Sequence, residues 1–388
     1  MKSIIILGRQ PKLGLAELES IYTAKMVSLI NDEVALIDID SNNVNFDRLG
    51  GAIKLASLIE TTEISKIEQV LRNLVKTMTL PLSGKITLGI SAYGLKVSSG
   101  RLNALALSLK KILRSRDLSI RVIPNREIYL NSAQVLHNKL ATEHGIELLL
   151  VANKDKLFIG RTINVQNITD YTERDRGRPK RDSYVGMLPP KLAQIIINLA
   201  SSGIDSSNLR LLDPFCGTGV ILQEALLMGF NIYGTDIEPR MVDYSRTNID
   251  WLESGIANIE LDATIEKADA CIFRWQQPIN LVASESFLGQ PLKTLPPDAD
   301  LAKMIHNINF LHKKFFKNIS TQLEHGTRLC LAVPAWYKNG KFVHLPLLDQ
   351  LSELGYNRVA FEHAGQEELI YHRPDQIVAR ELVTIIRK

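Results

Sequence analysis

The 388 residues carry 46 Lys and Arg against 42 Asp and Glu, a formal net charge of +4, and 45% of them are hydrophobic. A chain of that size and apolar content predicts two or three domains with packed cores. No apolar run approaches the ~18 residues of a membrane span, and the first ten residues, broken by Gly8-Arg9-Gln10, do not read as a signal peptide. The three cysteines (Cys216, Cys271, Cys330) lack the spacing of a disulfide framework or zinc site, and the histidines lack metal-ligand spacing. No metal and a reducing cytoplasm are expected.

Residues 3–7 read as a strand, 13–22 as an amphipathic helix, and 26–30 with 33–39 as a hairpin turning at Asn31-Asp32. With a helix over 44–50 and an extended stretch over 53–60, this predicts a small α+β unit spanning residues 1–60. A helix over 64–77, a strand over 85–92, a helix with leucine spacing over 102–114, a strand over 120–123 and a helix over 131–140 follow. A hairpin over 147–153 and 156–163 turns at Lys154-Asp155. Between positions 101 and 126 stand Arg101, Lys110, Lys111, Arg114, Arg116, Arg121 and Arg126 against one acid, Asp117. Such an excess attracts a polyanion; a solvated helix face is the bland alternative. The order of helix, strand, basic helix, strand, helix and hairpin resembles the THUMP domain, an RNA-binding module, over residues 61–169.

Residues 170–185 are expected to be a linker. The stretch DYTERDRGRPKRD lacks aliphatic residues and carries five cations, Arg174, Arg176, Arg178, Lys180 and Arg181. It suits a solvated hinge or a contact to RNA backbone. The remaining domain, residues 186–388, opens with a helix running to 199, where Pro189 and Pro190 fit the first turn and Ile195, Ile196, Ile197 and Leu199 predict burial.

The most informative stretch is residues 211–240, LLDPFCGTGVILQEALLMGFNIYGTDIEPR. It reads as strand, glycine turn, helix and strand, with Gly217 and Gly219 in the turn and Asp236 at the second strand's end. An acid about 20 residues after such a turn holds a ribose diol in nucleotide-binding βαβ units. A third glycine, which pyrophosphate would need, is replaced by Leu222, and no Gly-Lys-Ser/Thr of a P-loop is present. Asp213 at the head of the turn suits an ammonium group rather than a phosphate. A ligand-free strand-to-helix turn is the plain alternative.

This arrangement resembles the motif of class I S-adenosylmethionine-dependent methyltransferases. The resemblance implies an α/β, Rossmann-like C-terminal domain that binds S-adenosylmethionine through Asp213, Phe215, Cys216, Gly217, Gly219, Asp236 and Ile237. A third strand is expected at 259–261, and Asp269 with Ala270 falls where the family accepts the adenine amine, Asp262 being the rival. Pro189-Pro190-Lys191 upstream, with 372–376 and 379–381 near the C-terminus, resembles tRNA guanine-N2 methyltransferases of the archaeal, position-ten type. In that family Pro189 and Lys191 edge the cofactor pocket.

A strand over 279–283 ends in Ser284-Glu285-Ser286-Phe287, where the family carries Asp or Asn, two prolines and an aromatic residue. A base amine is a poor nucleophile because its lone pair is delocalised into the ring, so acceptors on its hydrogens favour attack. The aromatic stacks on the extruded base. Here both prolines are absent; Glu285 keeps the acid, Ser284 keeps the distance to the aromatic, and Phe287 keeps the ring. The resemblance implies methylation of a guanine N2 amine in tRNA. Ribosomal RNA or DNA amino-methylation, or a catalytically altered RNA-binding protein, are the alternatives, with a nicotinamide oxidoreductase as the most remote. Oligomeric state is not legible.

Overall fold

The computed structural model describes residues 2–81, 83–182, 187–204, 206–255, 261–374 and 376–388. The chain divides into two compact units. The first comprises Met1–Leu15, Thr23–Asp47 and Gly51–Asp170; the second comprises Ala16–Tyr22, Arg48–Gly50 and Tyr171–Lys388.

The elements of the first stretch of chain are β1 (Ser3–Leu7), α1 (Pro11–Tyr22), β2 (Val27–Asn31), β3 (Val34–Ile37), β4 (Ala52–Glu63), α2 (Ile67–Thr77), β5 (Lys85–Tyr93), α3 (Ser99–Arg114), β6 (Ser119–Val122), α4 (Ser132–His137), β7 (Gly145–Asn153), β8 (Lys156–Val165) and α5 (Ile168–Thr172). The eight strands form one sheet in the order β2-β3-β1-β4-β8-β7-β5-β6. Leu102, Ala106, Leu109 and Leu113 make the buried stripe of α3 at helical spacing. Ser98 caps that helix, accepting from Arg101 N at 3.3 Å.

The division expected at residue 60 is corrected by this sheet. It falls inside β4, which pairs along its length with β8 from the far end of the unit. Patterning shows that residues are extended, but not which distant strand they pair with. A buried ion pair lies within the sheet: Lys54 Nζ is 2.5 Å from Glu147 Oε1. Ser91 donates to the same carboxylate at 2.6 Å and Thr162 at 2.7 Å. The residues expected to form a helix over 44–50 instead make a single 3-10 turn, Phe46–Arg48.

The second unit contains α6 (Pro190–Ser201), β9 (Arg210–Asp213), α7 (Val220–Leu227), β10 (Asn231–Asp236), α8 (Pro239–Gly255), β11 (Ala263–Lys267), β12 (Leu281–Glu285), α9 (Asp298–Ser320), β13 (Arg328–Lys338), β14 (Lys341–Val343), β15 (Tyr356–Arg358), β16 (Ile370–Tyr371) and β17 (Val378–Arg387). The main strand order is β11-β10-β9-β12-β13-β17-β15. Strands β9 to β13 pair in parallel, whereas β17 runs antiparallel to both β13 and β15. The chain moves outward from β9 to β11 and then crosses back to β12 on the other side of β9. Such a reversal opens a crevice beyond the carboxyl ends of the two strands. Phe315, Phe316 and Ile319 of α9 are fully buried in the core with Leu212, Val282 and Leu331, each side chain contributing roughly 1.5–3 kcal/mol.

Two expectations are corrected here. The third strand is β11, Ala263–Lys267, rather than 259–261; positions 259 and 260 lie outside the described residues. The stretch 170–182 is not a solvated hinge. It forms a short helical turn, Arg174 Nε donates to the buried Glu224 at 2.7 Å, Tyr171 bonds Gln194 at 2.5 Å, and Arg178 is only 2% exposed. Composition marked it as polar, but Arg174 binds a buried acid and Arg178 is itself buried, while Arg176, Lys180 and Arg181 stay exposed. Linker positions 183–185, Gly186 of the expected helix start and Asp375 of the C-terminal resemblance are outside the described residues. The described helix begins at Pro190, capped by Pro189.

Candidate active site

The tip of β9 places Asp213 at the bottom of the crevice, 2% exposed. Its Oδ1 accepts from Ser284 Oγ at 2.6 Å and from Phe215 N at 3.2 Å. Burial pushes its carboxyl up to about 7, and those two hydrogen bonds pull the other way. After it the chain turns through Gly217 (φ 50°) and Gly219 (φ 81°), conformations that cost L side chains energy. A Cβ on Gly217 would meet no atom within 4 Å, so its backbone lies open to space. A Cβ on Gly219 would collide with Ser245 Oγ at 2.6 Å. The first glycine leaves room for a ligand, whereas the second lets the turn pack on α8.

The tip of β10 supplies Asp236, whose Oδ2 accepts from Gly217 N at 3.0 Å and Oδ1 from Glu238 N at 2.9 Å. The glycine turn and the acid 19 positions later are therefore bonded to each other. Burial raises the Asp236 carboxyl, and the backbone donors oppose that rise. Beyond β11, Asp269 accepts from Cys271 N at 2.9 Å. Its rival Asp262 precedes β11, is 57% exposed and pairs with Arg210 at 2.6 Å, at the amino end of β9.

One cavity of about 400 Å³ joins these groups, within the size range of small-molecule sites. Asp213, Phe215, Cys216 and Gly217 line it from the first strand and its turn, Asp236 and Ile237 from the second, Asp269 and Ala270 from the third. Glu285 and Phe287 line it from the fourth, with Phe287 46% exposed. Cys216 is buried, which pushes its thiol well up and keeps it protonated.

Four expected residues stand elsewhere. Ser284 is fully buried and reaches the cavity only through Asp213. Gly219 is absent from the lining because it faces α8. Pro189 caps α6, and Lys191 Nζ lies 5.0 Å from the centroid of the Tyr171 ring with its ammonium pKa lowered by burial. Leu188 takes the wall position expected of Pro189 and Lys191. Proximity in sequence to a pocket residue does not fix which side chain turns inward.

Sequence reading also missed residues. Asp182, at the end of the expected linker, lines the cavity and pairs with Arg240 at 2.8 Å. Arg380 of β17, its side chain 5% exposed, donates from Nε to Glu285 Oε1. His312 of α9 is fully buried, with Nδ1 2.8 Å from Ile308 O and Nε2 2.8 Å from Ser286 Oγ. Burial lowers the imidazole to about 4. Apart from the His312–Ile308 contact inside α9, none of these pairings leaves a local signal, since the partners belong to different elements.

Residues 205–371 match a family model described as a methyltransferase domain, and residues 125–247 match one described as a DNA methylase. Relatives named tRNA (guanine(10)-N2)-dimethyltransferase share 32% identity over 151 residues in Methanothermobacter thermautotrophicus, covering 39% of this chain and 40% of that protein. The one from Methanocaldococcus jannaschii shares 30% over 168 residues, covering 40% of this chain and 46% of its own length. A third, from Pyrococcus abyssi, shares 28% over 183 residues, 46% of this chain and 48% of that protein. The chain thus spans less than half the length of the curated relatives it matches. The resemblance to tRNA guanine-N2 methyltransferases is borne out in these relatives. The crystal structure of TrmN from Thermus thermophilus superposes with a TM-score of 0.53 at 16% identity, covering 100% of both chains, a likeness of fold.

Proposed function

We propose that this chain uses S-adenosylmethionine to methylate the exocyclic N2 amine of a guanine in tRNA. The observation that carries the reading is the set of strand-tip acids, Asp213, Asp236 and Asp269, around a single cavity that Glu285 and Phe287 also line. The relatives named for guanine-N2 methylation of tRNA support the substrate. The residues present fit the cofactor. Open space over Gly217 admits a ligand against bare backbone, and the buried Asp213 carboxyl is matched by a cation.

When bound, S-adenosylmethionine supplies an electrophilic methyl group on a sulfonium. Asp213 would hold its ammonium end, Asp236 the ribose hydroxyls and Asp269 the adenine amine. The half-exposed Phe287 stacks on the extruded guanine. Glu285 would accept from its N2 hydrogens, which favours a nitrogen lone pair free to attack. In this reading the first unit is a THUMP-like module that grips tRNA phosphates with Lys111, Arg114, Arg121 and Arg126, all exposed. The enzyme would act in the cytoplasm; among the described residues no helix is long and apolar enough to cross a membrane.

The test is to incubate purified protein with isotopically labelled cofactor and unmodified tRNA transcripts, then digest and identify the labelled nucleoside. N2-methylguanosine is expected. Folded protein that binds the cofactor yet labels no RNA would overturn the reading. The match of residues 125–247 to a DNA methylase favours one second reading, an amino-methyltransferase of DNA. Label in adenine or cytosine of duplex DNA would establish it.

A further inference from the structure

Glu285 ends β12 on the cavity wall, and Arg380 reaches it from β17, 95 positions later. Arg380 Nε donates to Oε1 alone, and among the described residues nothing donates to Oε2. The guanidinium is 5% exposed and the carboxylate 17%, so the pair is held largely out of water. Arginine stays charged in proteins, and its charge-assisted bond through Oε1 holds the carboxylate in one orientation with Oε2 left to accept. Guanine presents two donors side by side, N1–H and N2–H, whereas adenine and cytosine present one amine donor beside a bare ring nitrogen. A carboxylate fixed as an anion complements the first edge and repels the lone pair of the second.

We propose that Arg380 is a positioning residue that holds the Glu285 carboxylate in one orientation, and that this pair selects guanine by its N1–H as well as its amine. The inference rests on the methyltransferase reading above and deepens it from the reacting amine to the whole base edge. Polar sites built for a donor reject analogues that lack it because their own groups are left unpaired. Neutralising Arg380 frees Glu285 to rotate, so that its oxygens no longer meet N1–H and N2–H together. Discrimination then narrows.

The experiment uses tRNA transcripts carrying guanine or 2,6-diaminopurine at the position the wild-type protein modifies. The analogue keeps the N2 amine but has no N1–H. Wild type is expected to prefer guanine by about 100-fold in kcat/KM. Arg380→Met and Glu285→Gln should each reduce that preference to below about 10-fold, while Arg380→Lys should restore most of it. A purely structural role for Arg380 would lower activity on both bases alike and leave the ratio unchanged, which would overturn the proposal. So would a wild-type preference within about 3-fold. If wild type methylates no guanine at all, the enzymatic reading itself falls; if it makes N2-methylguanosine with an unaltered ratio in the variants, only the present inference falls.

Discussion

Ser284 Oγ donates to Asp213 Oδ1 across 2.6 Å, tying the end of β12 to the end of β9 at the floor of the crevice. Ser284 thus bonds the buried Asp213, whereas Glu285 beside it lines the cavity. Replacing Ser284 by Ala removes a hydrogen bond to a buried charged group, worth about 1.5–3 kcal/mol. Cofactor affinity measured by calorimetry should fall about tenfold or more, with the fold retained by circular dichroism. Unchanged affinity would separate Asp213 from cofactor binding.

Asp213 also sets a pH dependence. Its carboxyl is raised to about 7 in the folded protein, above the ordinary 3.8. A raised carboxyl contributes stability that is full below the unfolded value and is lost as pH rises through about 7. Binding a cationic ligand requires the ionised form, so association should release a proton between about pH 6 and 7. Calorimetry in buffers of different ionisation enthalpy should detect that proton. Asp213→Asn should abolish the release, raise Tm at pH 8 and cost more than tenfold in cofactor affinity.

Phe287 is 46% exposed although aromatic, which suits a stacking platform. Phe287→Ala should lower kcat/KM for tRNA about 10–100-fold, in line with ~1–3 kcal/mol per stacked base, while leaving cofactor affinity unchanged. A parallel loss of cofactor affinity would assign the ring to the wrong ligand.

Lys54 and Glu147 are 1% and 0% exposed, and their pairing is completed by Ser91 and Thr162. Lys54→Met strands a buried carboxylate and should destabilise the first unit by about 3–5 kcal/mol. The double variant Lys54→Met, Glu147→Leu should recover most of that in urea denaturation. Equal losses in the single and double variants would show that the charges are not coupled.

The exposed Lys111 and Arg114 lie in the last turn of α3 and form no ion pair among the described residues. Arg116 of the same basic stretch is already engaged by Val75 O at 2.6 Å and Met78 O at 2.9 Å. Lys111→Glu with Arg114→Glu should weaken tRNA binding and reduce the slope of log affinity against log salt by about 2. Equal slopes for variant and wild type would remove this helix end from the RNA contact.

The sequence by itself determined the glycine turn and the acids that close β9 and β10. These depend on short-range requirements: positive φ at Gly217 and Gly219, buried aliphatic runs, and a fixed distance from Gly217 to Asp236. It also marked Ser284-Glu285-Ser286-Phe287, which keeps an acid and the ring but lacks both prolines, as a departure from a family pattern. Only the tertiary structure decided what that departure means. Ser284 meets Asp213, Glu285 meets Arg380, and His312 meets Ser286 through strand and helix packing between distant positions. The same holds for the first unit, where β4 crosses the expected boundary to pair with β8. Periodicity reports which face of a segment is buried, but the partner on that face is chosen by the fold.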